Sequence, residues 1–417
     1  MPRWISVVLF PCIASVALAP GNSAAAAETN RPPVLLLPPL ALVYEVGVTR
    51  ASKHLAWSGV AQENLSEGLP VVAAHVLGRP VLATPPLATG ELERVREVHL
   101  LAWDVVHSAG AVPGFRKTAQ ERLAHMQPTV GTTLAFLADR TGLEEAVGVV
   151  AYQGEQSSGS VATQAALAAG MLLESLIALP EITGVQMLGY TVHLRTGEVR
   201  WYAMHRASEV AGINSADLRR RESAEKLLGR ALQDWPQAAG RVREDNPVRI
   251  DPAEAGHRAY SAWEGYFSVR PPAGWRSTAA AKSVSATSDG RLLNEFRVQL
   301  RHHSVAFASS DQDTTRTSTP TQLLGWFLED TQEQHGLELR VVAASAEATL
   351  AGQPAFRVRY IFRRSPDAPL SESVVIGTVT PDGLLLASLT APHLGYFDRS
   401  LAAFEAATAT IELRQAR

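Results

Sequence analysis

The chain predicts an α/β half followed by an α+β half: two domains, each a mixed or antiparallel sheet with packed helices. Three observations carry that prediction. Short Val- and Leu-rich runs alternate with helix-length periodic stretches as far as residue 235. Residues 236–254 are polar, hold Pro, Gly and charges, and have no hydrophobic period. Beyond them, strand-like runs dominate, with two amphipathic helices among them. The expected division is a signal peptide over 1–27, an α/β domain over 31–235, a linker over 236–261 and an α+β domain over 262–417.

The first residues have the order of a secretory signal. Arg3 supplies a positive start, residues 5–18 form an apolar run broken by Pro11 and Ser15, and residues 19–27 are mostly small. The run is too short to span a bilayer, so cleavage near Ala25 to Ala27 is expected rather than a retained anchor. Cys12 is the single cysteine. Leu9-Phe10-Pro11 before it lack the small residue of a lipoprotein signal, so Cys12 leaves with the leader. A mature chain without cysteine excludes disulfides, thiolate nucleophiles and Cys-ligated metals. With 46% hydrophobic residues it can bury its cores without staples. The formal net charge of −3 offers no electrostatic footprint for nucleic acid.

After the leader, residues 34–37 and 41–46 read as strands, being short and bounded by Pro38-Pro39. Residues 57–77 carry a helical period, with Ser58 as the expected cap and Pro70 expected to split or kink the helix. Residues 89–109 form a clearer helix with Leu92, Val95, Val98, Leu101, Val105 and Val106 on one stripe. A helix over 129–139 stops at Gly142, and 146–152 is a strand. The apolar stretch 163–179 reads as a buried helix or a pair of buried strands; its small residues Ala165, Ala169 and Gly170 leave membrane contact open but not predicted. A hairpin follows: 185–194, a Thr196-Gly197 turn, and 199–205. Trp201 and Tyr202 point to opposite faces there, so one is expected in the core and the other exposed. An amphipathic helix over 215–235 closes this half.

In the second half, strands are expected at 266–270, 295–300, 338–344, 355–362, 373–380 and 384–390. Helices are expected at 321–335 and 399–409, covering one face of the sheet. Residues 309–321 are a Ser/Thr/Asp-rich loop.

Two resemblances attach to these segments. Residues 34–39, the Gly142-ended helix, Ser157-Ser158-Gly159 and above all Leu194-Arg195-Thr196-Gly197-Glu198-Val199-Arg200-Trp201 resemble bacterial envelope proteins related to the curli-secretion channel and the amino-terminal domain of TolB. That resemblance, over 31–235, implies a domain that contacts envelope partners. The chain departs from the channel in lacking both the lipidation signal and membrane-spanning hairpins. Residues 265–275, Leu350-Ala351-Gly352-Gln353-Pro354-Ala355-Phe356 and the closing Tyr396-Phe397-Asp398 helix with Phe404 resemble PsbP-like domains, over most of 262–414. This implies a mostly non-catalytic domain in which Trp275 packs beneath the sheet.

Candidate chemistry is sparse. No pair among the twelve histidines has zinc-helix spacing with a third ligand nearby. His302 and His303 would point to opposite faces of a regular strand, and His99 and His107 lie two helical turns apart. Ser223 and Lys226 match Ser-x-x-Lys, but Arg195-Thr196-Gly197 precedes them where it should follow, and their helix reads as solvated. Ser157-Ser158-Gly159 lacks the nucleophile elbow. No residue is therefore assigned as catalytic, cofactor-binding or metal-ligating, and no cofactor is expected. The composite expectation is an exported, periplasmic or extracellular, non-enzymatic binding or assembly protein. Its expected partner is another envelope protein and not nucleic acid, with the oligomeric state open. The alternative is a secreted hydrolase with an unrecognised serine or carboxylate site.

Overall fold

The first Val/Leu run carries one residue too many to lie straight against its neighbour, and that surplus organises the first half. The computed structural model describes residues 32–46, 51–110, 128–156, 184–206, 217–233, 256, 258–262, 265–307, 313–335 and 338–413. The first half contains β1 (Val34–Leu36), β2 (Leu40–Val46), β3 (Ala51–Lys53), α1 (Leu55–Val76), β4 (Val81–Ala83), α2 (Thr89–Gly110), α3 (Ala135–Thr141), β5 (Glu145–Gln156), β6 (Gly184–His193), β7 (Val199–Arg206) and α4 (Arg221–Gln233). Both β1 and β2 run parallel to β5, with Leu36 opposite Val147 and Leu40 opposite Val150. Three residues, Leu37 to Pro39, therefore face two on β5, a bulge that two prolines without N–H groups suit. The bulge carbonyls are claimed from both faces: His99 Nε2 of α2 bonds Pro38 O at 2.7 Å, and Gln62 of α1 bonds Pro39 O. The antiparallel β6 and β7 complete the sheet on the other side of β5.

Helices cover both faces of this sheet. Leu65, Leu69 and Ala73 of α1 and Leu227, Leu228 and Ala231 of α4 pack one face; Val98, Leu101 and Val105 of α2 pack the other. The expectation that Trp201 or Tyr202 would be exposed is thus corrected. They are 3% and 5% exposed, Trp201 beneath α1 and α4 and Tyr202 in the cluster with α2. Pro70 does not split α1, which runs through it as one 22-residue helix. Its N-cap is His54, whose Nδ1 accepts from Trp57 N, while the expected cap Ser58 is buried and bonds Val43 N of β2. Gly142 ends α3 at φ 70°, as expected of a left-handed terminating residue. The stretch 163–179 lies outside the described residues, as do Ser157-Ser158-Gly159 and residues 234–255.

The second half contains β8 (Tyr260–Ser261), β9 (Phe267–Val269), β10 (Arg276–Ala279), β11 (Ser283–Thr287), β12 (Glu295–Arg301), α5 (Pro320–His335), β13 (Arg340–Leu350), β14 (Gln353–Arg363), β15 (Leu370–Thr380), β16 (Gly383–Pro392), α6 (Tyr396–Thr408) and β17 (Glu412–Leu413). Seven strands in the order β10-β11-β12-β16-β15-β14-β13 form an antiparallel sheet, and β17-β9-β8 form a small second one. The expected one-sided cover is corrected to two. Leu323 and Phe327 of α5 lie on Phe356 and Val358, and Phe397 and Phe404 of α6 join Phe296 and Leu389 on the opposite face. Trp275 is half-buried at the margin of that cluster rather than sealed beneath the sheet.

The two halves meet in a shared apolar cluster that runs from Leu101 and Tyr190 to Phe296 and Phe404. Gly290, at φ 108°, sits where an added Cβ would lie 3.0 Å from Ser108 Cβ of α2. Only glycine meets both the dihedral and the close approach there.

Candidate functional site

Two places bring together polar or titratable groups from distant parts of the chain: an open cleft, and the packed seam between the halves. The cleft, about 740 Å³, lies between the β17-β9-β8 sheet and one end of the seven-stranded sheet. Phe267, Leu300, Leu385, Ile411 and Leu413 make an apolar lining. Two hairpin tips stand over it. Ala351 and Gln353 come from the β13–β14 tip, where Ala351 holds φ 50° ahead of Gly352. Thr380, Pro381 and Asp382 come from the β15–β16 tip, braced by Thr380 Oγ1 donating to Gly383 O at 3.0 Å. Glu412 completes the lining. An apolar floor with a few polar groups at the rim is the usual form of a binding cleft. A smaller cleft of about 290 Å³ lies by Gln153, Glu155, Asp217 and Arg219, whose side chains are bonded to one another.

The seam holds a cluster of charges drawn partly out of water. Asp367, in the turn from β14 to β15, reaches into the first half. It accepts from Tyr44 Oη at 2.8 Å, pairs with Lys53 Nζ at 2.7 Å and pairs with Arg96 Nη2 at 2.9 Å. Burial works to raise its pKa, but the bonds from Lys53 and Tyr44 prevail and hold the carboxyl below the usual range. Glu97 of α2 makes the reciprocal reach, pairing with Arg363 Nη1 at 2.6 Å and accepting from Leu370 N at 2.8 Å. Beside them Tyr44 stacks parallel to Tyr152, which packs on Trp103 with centroids 4.2 Å apart. Burial, then the Asp367 charge, pushes the Tyr44 hydroxyl up; burial, then Asp104, does the same to Tyr152. Burial also lifts the Asp104 carboxyl to about 7 against the pull of Arg364. A carboxyl titrating near neutrality has the property a general acid–base needs, yet Asp104 lines neither cleft.

The candidates singled out in the sequence do not converge. His99 is buried and structural: besides Pro38 O it meets the Tyr190 hydroxyl at 2.9 Å through Nδ1, and burial lowers its pKa to about 4. His303 bonds Thr314 Oγ1 at 2.8 Å, and His302 bonds Ser304 Oγ at 2.9 Å. Among the described residues no group of three His, Cys, Asp or Glu is placed to hold a metal ion. Lys226 is solvent-exposed and paired with Glu222 at 2.7 Å on the outer face of α4. Asp104, Asp367, Tyr44 and Tyr152 were not singled out in the sequence. Their available signal was Glu97, His99 and Asp104 standing within the largely apolar 95–106 stretch of α2, a pattern that marks burial on more than one side. No described helix is long and apolar enough to cross a membrane.

No protein-family model and no curated protein sequence matches the chain. Among solved structures, cyanobacterial PsbP (CyanoP) from Synechocystis is 14% identical with a TM-score of 0.28, covering 42% of this chain and 99% of that one. LpqN, involved in cell envelope biogenesis of Mycobacterium tuberculosis, is 11% identical with a TM-score of 0.24, covering 38% and 90%. A protein from Bacteroides thetaiotaomicron is 14% identical with a TM-score of 0.24 over 38% of this chain, which spans about half (48%) of that one. These are weak structural neighbours, and at such scores they carry no argument about activity. They include a PsbP protein, the group the second half resembles; the curli-channel and TolB resemblance of the first half finds no support among them.

Proposed function

We propose that this chain is an exported, non-enzymatic protein of the cell envelope that binds another envelope protein through the cleft of its second half. The observation that supports this reading is a separation. The cleft has an apolar floor and a short polar rim, whereas Asp104, its carboxyl lifted to about 7, and the shifted Tyr44, Tyr152 and Asp367 are packed together in the seam. A binding cleft needs shape and apolar area; an active site needs its titratable groups within reach of substrate.

The apolar leader, ending in small residues, supports export. Sequencing the mature amino terminus checks it, with the start expected between Ala25 and Asn30; a mature protein beginning at Met1 would refute export. The cleft is tested with Gln353→Trp, which places an indole across its mouth. Chemical cross-linking in the periplasm is expected to join the wild-type chain to a discrete envelope protein and to lose that product in the variant. A product of equal yield in both chains would remove the cleft from the reading. The hydrolase alternative draws on Asp104 alone, and requires Asp104→Asn to abolish turnover of an ester or peptide substrate by an otherwise folded protein.

A further inference from the structure

One wall of the cleft is a strand edge. In the order β17-β9-β8, β17 is outermost: Glu412 pairs with Ser268 and Leu413 with Phe267, and no described strand lies on its other side. Glu412 and Leu413 both line the cleft, facing the hairpin tips that carry Gln353 and Asp382 across it. A strand edge leaves backbone N–H and C=O groups without ladder partners, and these can pair with an incoming extended chain. The charge at this edge has one sign. Asp382 and Glu412 are in the lining, no Lys, Arg or His is, and neither acid has an ion pair among the described residues.

Resting on the reading above, we propose that the cleft's occupant is an extended basic–apolar segment of the partner protein, added as a strand along the open edge of β17. Successive side chains of such a segment point to opposite faces. Every second side chain then drops toward Phe267, Leu300 and Leu385, while its neighbours stay at the rim, where Lys or Arg meets Asp382 or Glu412. The same rim disfavours an acidic segment through like-charge repulsion. A proline or an N-methylated backbone in register with β17 removes the donor that the added strand must supply.

The test uses the full mature chain and a fluorescein-labelled peptide, Lys-Val-Lys-Val-Thr-Val-Lys, read by fluorescence anisotropy. Saturable binding is expected. It should weaken at least tenfold when alternate backbone nitrogens are methylated, when glutamate replaces every lysine, and when the protein carries Asp382→Lys with Glu412→Lys. Thermal midpoints of the variants within about 2 °C of wild type establish that they are folded. Equal binding of the methylated peptide overturns strand addition, and equal binding by the double variant overturns the site. If no peptide binds while Gln353→Trp still abolishes the envelope cross-link, the occupant class is wrong and the cleft reading survives. If Gln353→Trp leaves the cross-link intact, the cleft reading itself falls.

Discussion

His99 has both ring nitrogens engaged, and its partners dictate its tautomer. The Pro38 carbonyl can only accept, so Nε2 carries the proton and Nδ1 accepts from the Tyr190 hydroxyl. Tyr190→Phe leaves that buried nitrogen unpaired and is expected to cost about 1–3 kcal/mol in urea unfolding; an unaltered midpoint would mean that the bond contributes nothing. Burial holds His99 neutral down to about pH 4, while the unfolded imidazole takes up a proton from about 6.5. The unfolded state then binds more protons, so this contribution is full above 6.5 and is lost as pH falls toward 4, about 3 kcal/mol in all. Asp104 has the opposite sign. Its folded pKa of about 7 lies above the ordinary 3.8, so its contribution is present in acid and lost as pH rises through 7. Asp104→Asn cannot ionise. Its thermal midpoint relative to wild type should therefore climb by several degrees between about pH 4 and about pH 8, and a gap that stays constant across that range would show that Asp104 is solvated.

At the scale of elements, α1 shows packing overruling local preference. A proline inside a helix removes one hydrogen bond and crowds the carbonyl four residues back, at a cost of about 3 kcal/mol. Here that carbonyl belongs to Ser66, whose side chain is exposed, while Leu65, Gly68, Leu69 and Ala73 of the same turns are buried. Gly68 lets α4 come close: a Cβ there would lie 3.1 Å from Glu225 Cγ and 3.2 Å from Leu228 Cδ1. Contact with α4 and the sheet therefore keeps the helix continuous through the break. Pro70→Ala restores the donor without touching the buried face, and should raise unfolding stability by about 1–3 kcal/mol. A lowered midpoint would imply that the pyrrolidine ring itself packs. Tyr202 and Trp275 illustrate the reverse. Alternation along a strand predicts one wet face only where nothing covers it, and α2 covers the Tyr202 face. The Pro-x-Gly-Trp phrase does turn the chain, with Gly274 at φ 75°, but the turn leaves Trp275 at the edge of the core.

For the whole molecule, the seam joins the halves through Asp367 and Glu97 as well as through the shared apolar cluster. Removing one partner of a buried ionic group strands the others, which costs 3–5 kcal/mol when they are fully buried. Lys53 and Arg96 keep 27% and 25% of their side-chain exposure, so Asp367→Ala should cost less, about 2–3 kcal/mol. The accompanying expectation concerns association. Proteolysis within 236–254 should nick the wild-type chain into two fragments that still co-elute by size exclusion, whereas the nicked Asp367→Ala protein should separate. Separation of the nicked wild type would mean that the seam is too weak to hold without the connecting chain.

Hydrophobic periodicity marked most of the long elements, and the reason is local. The stripe on α2 from Val95 to Val106 (its expected first member, Leu92, is exposed), the hairpin around Thr196-Gly197, the Gly142 stop and the run of strands from 355 to 390 are each written within a few residues of one another. Short or polar strands such as β10, with two exposed positions in four, carry no such period and were not legible. The candidate cleft was invisible for a related reason: Phe267, Leu300, Gln353, Asp382 and Glu412 come from five separate strands and turns. The seam is the extreme case, since Tyr44 and Asp367 are 323 residues apart. By itself the sequence determined the mixed α/β character, the order of the long elements and one buried face for each. The tertiary structure alone decided what covers the second face of each sheet, that Asp104 and Asp367 lie in one seam and which strand edge borders the cleft, because side-chain period records that a face is buried but not against what.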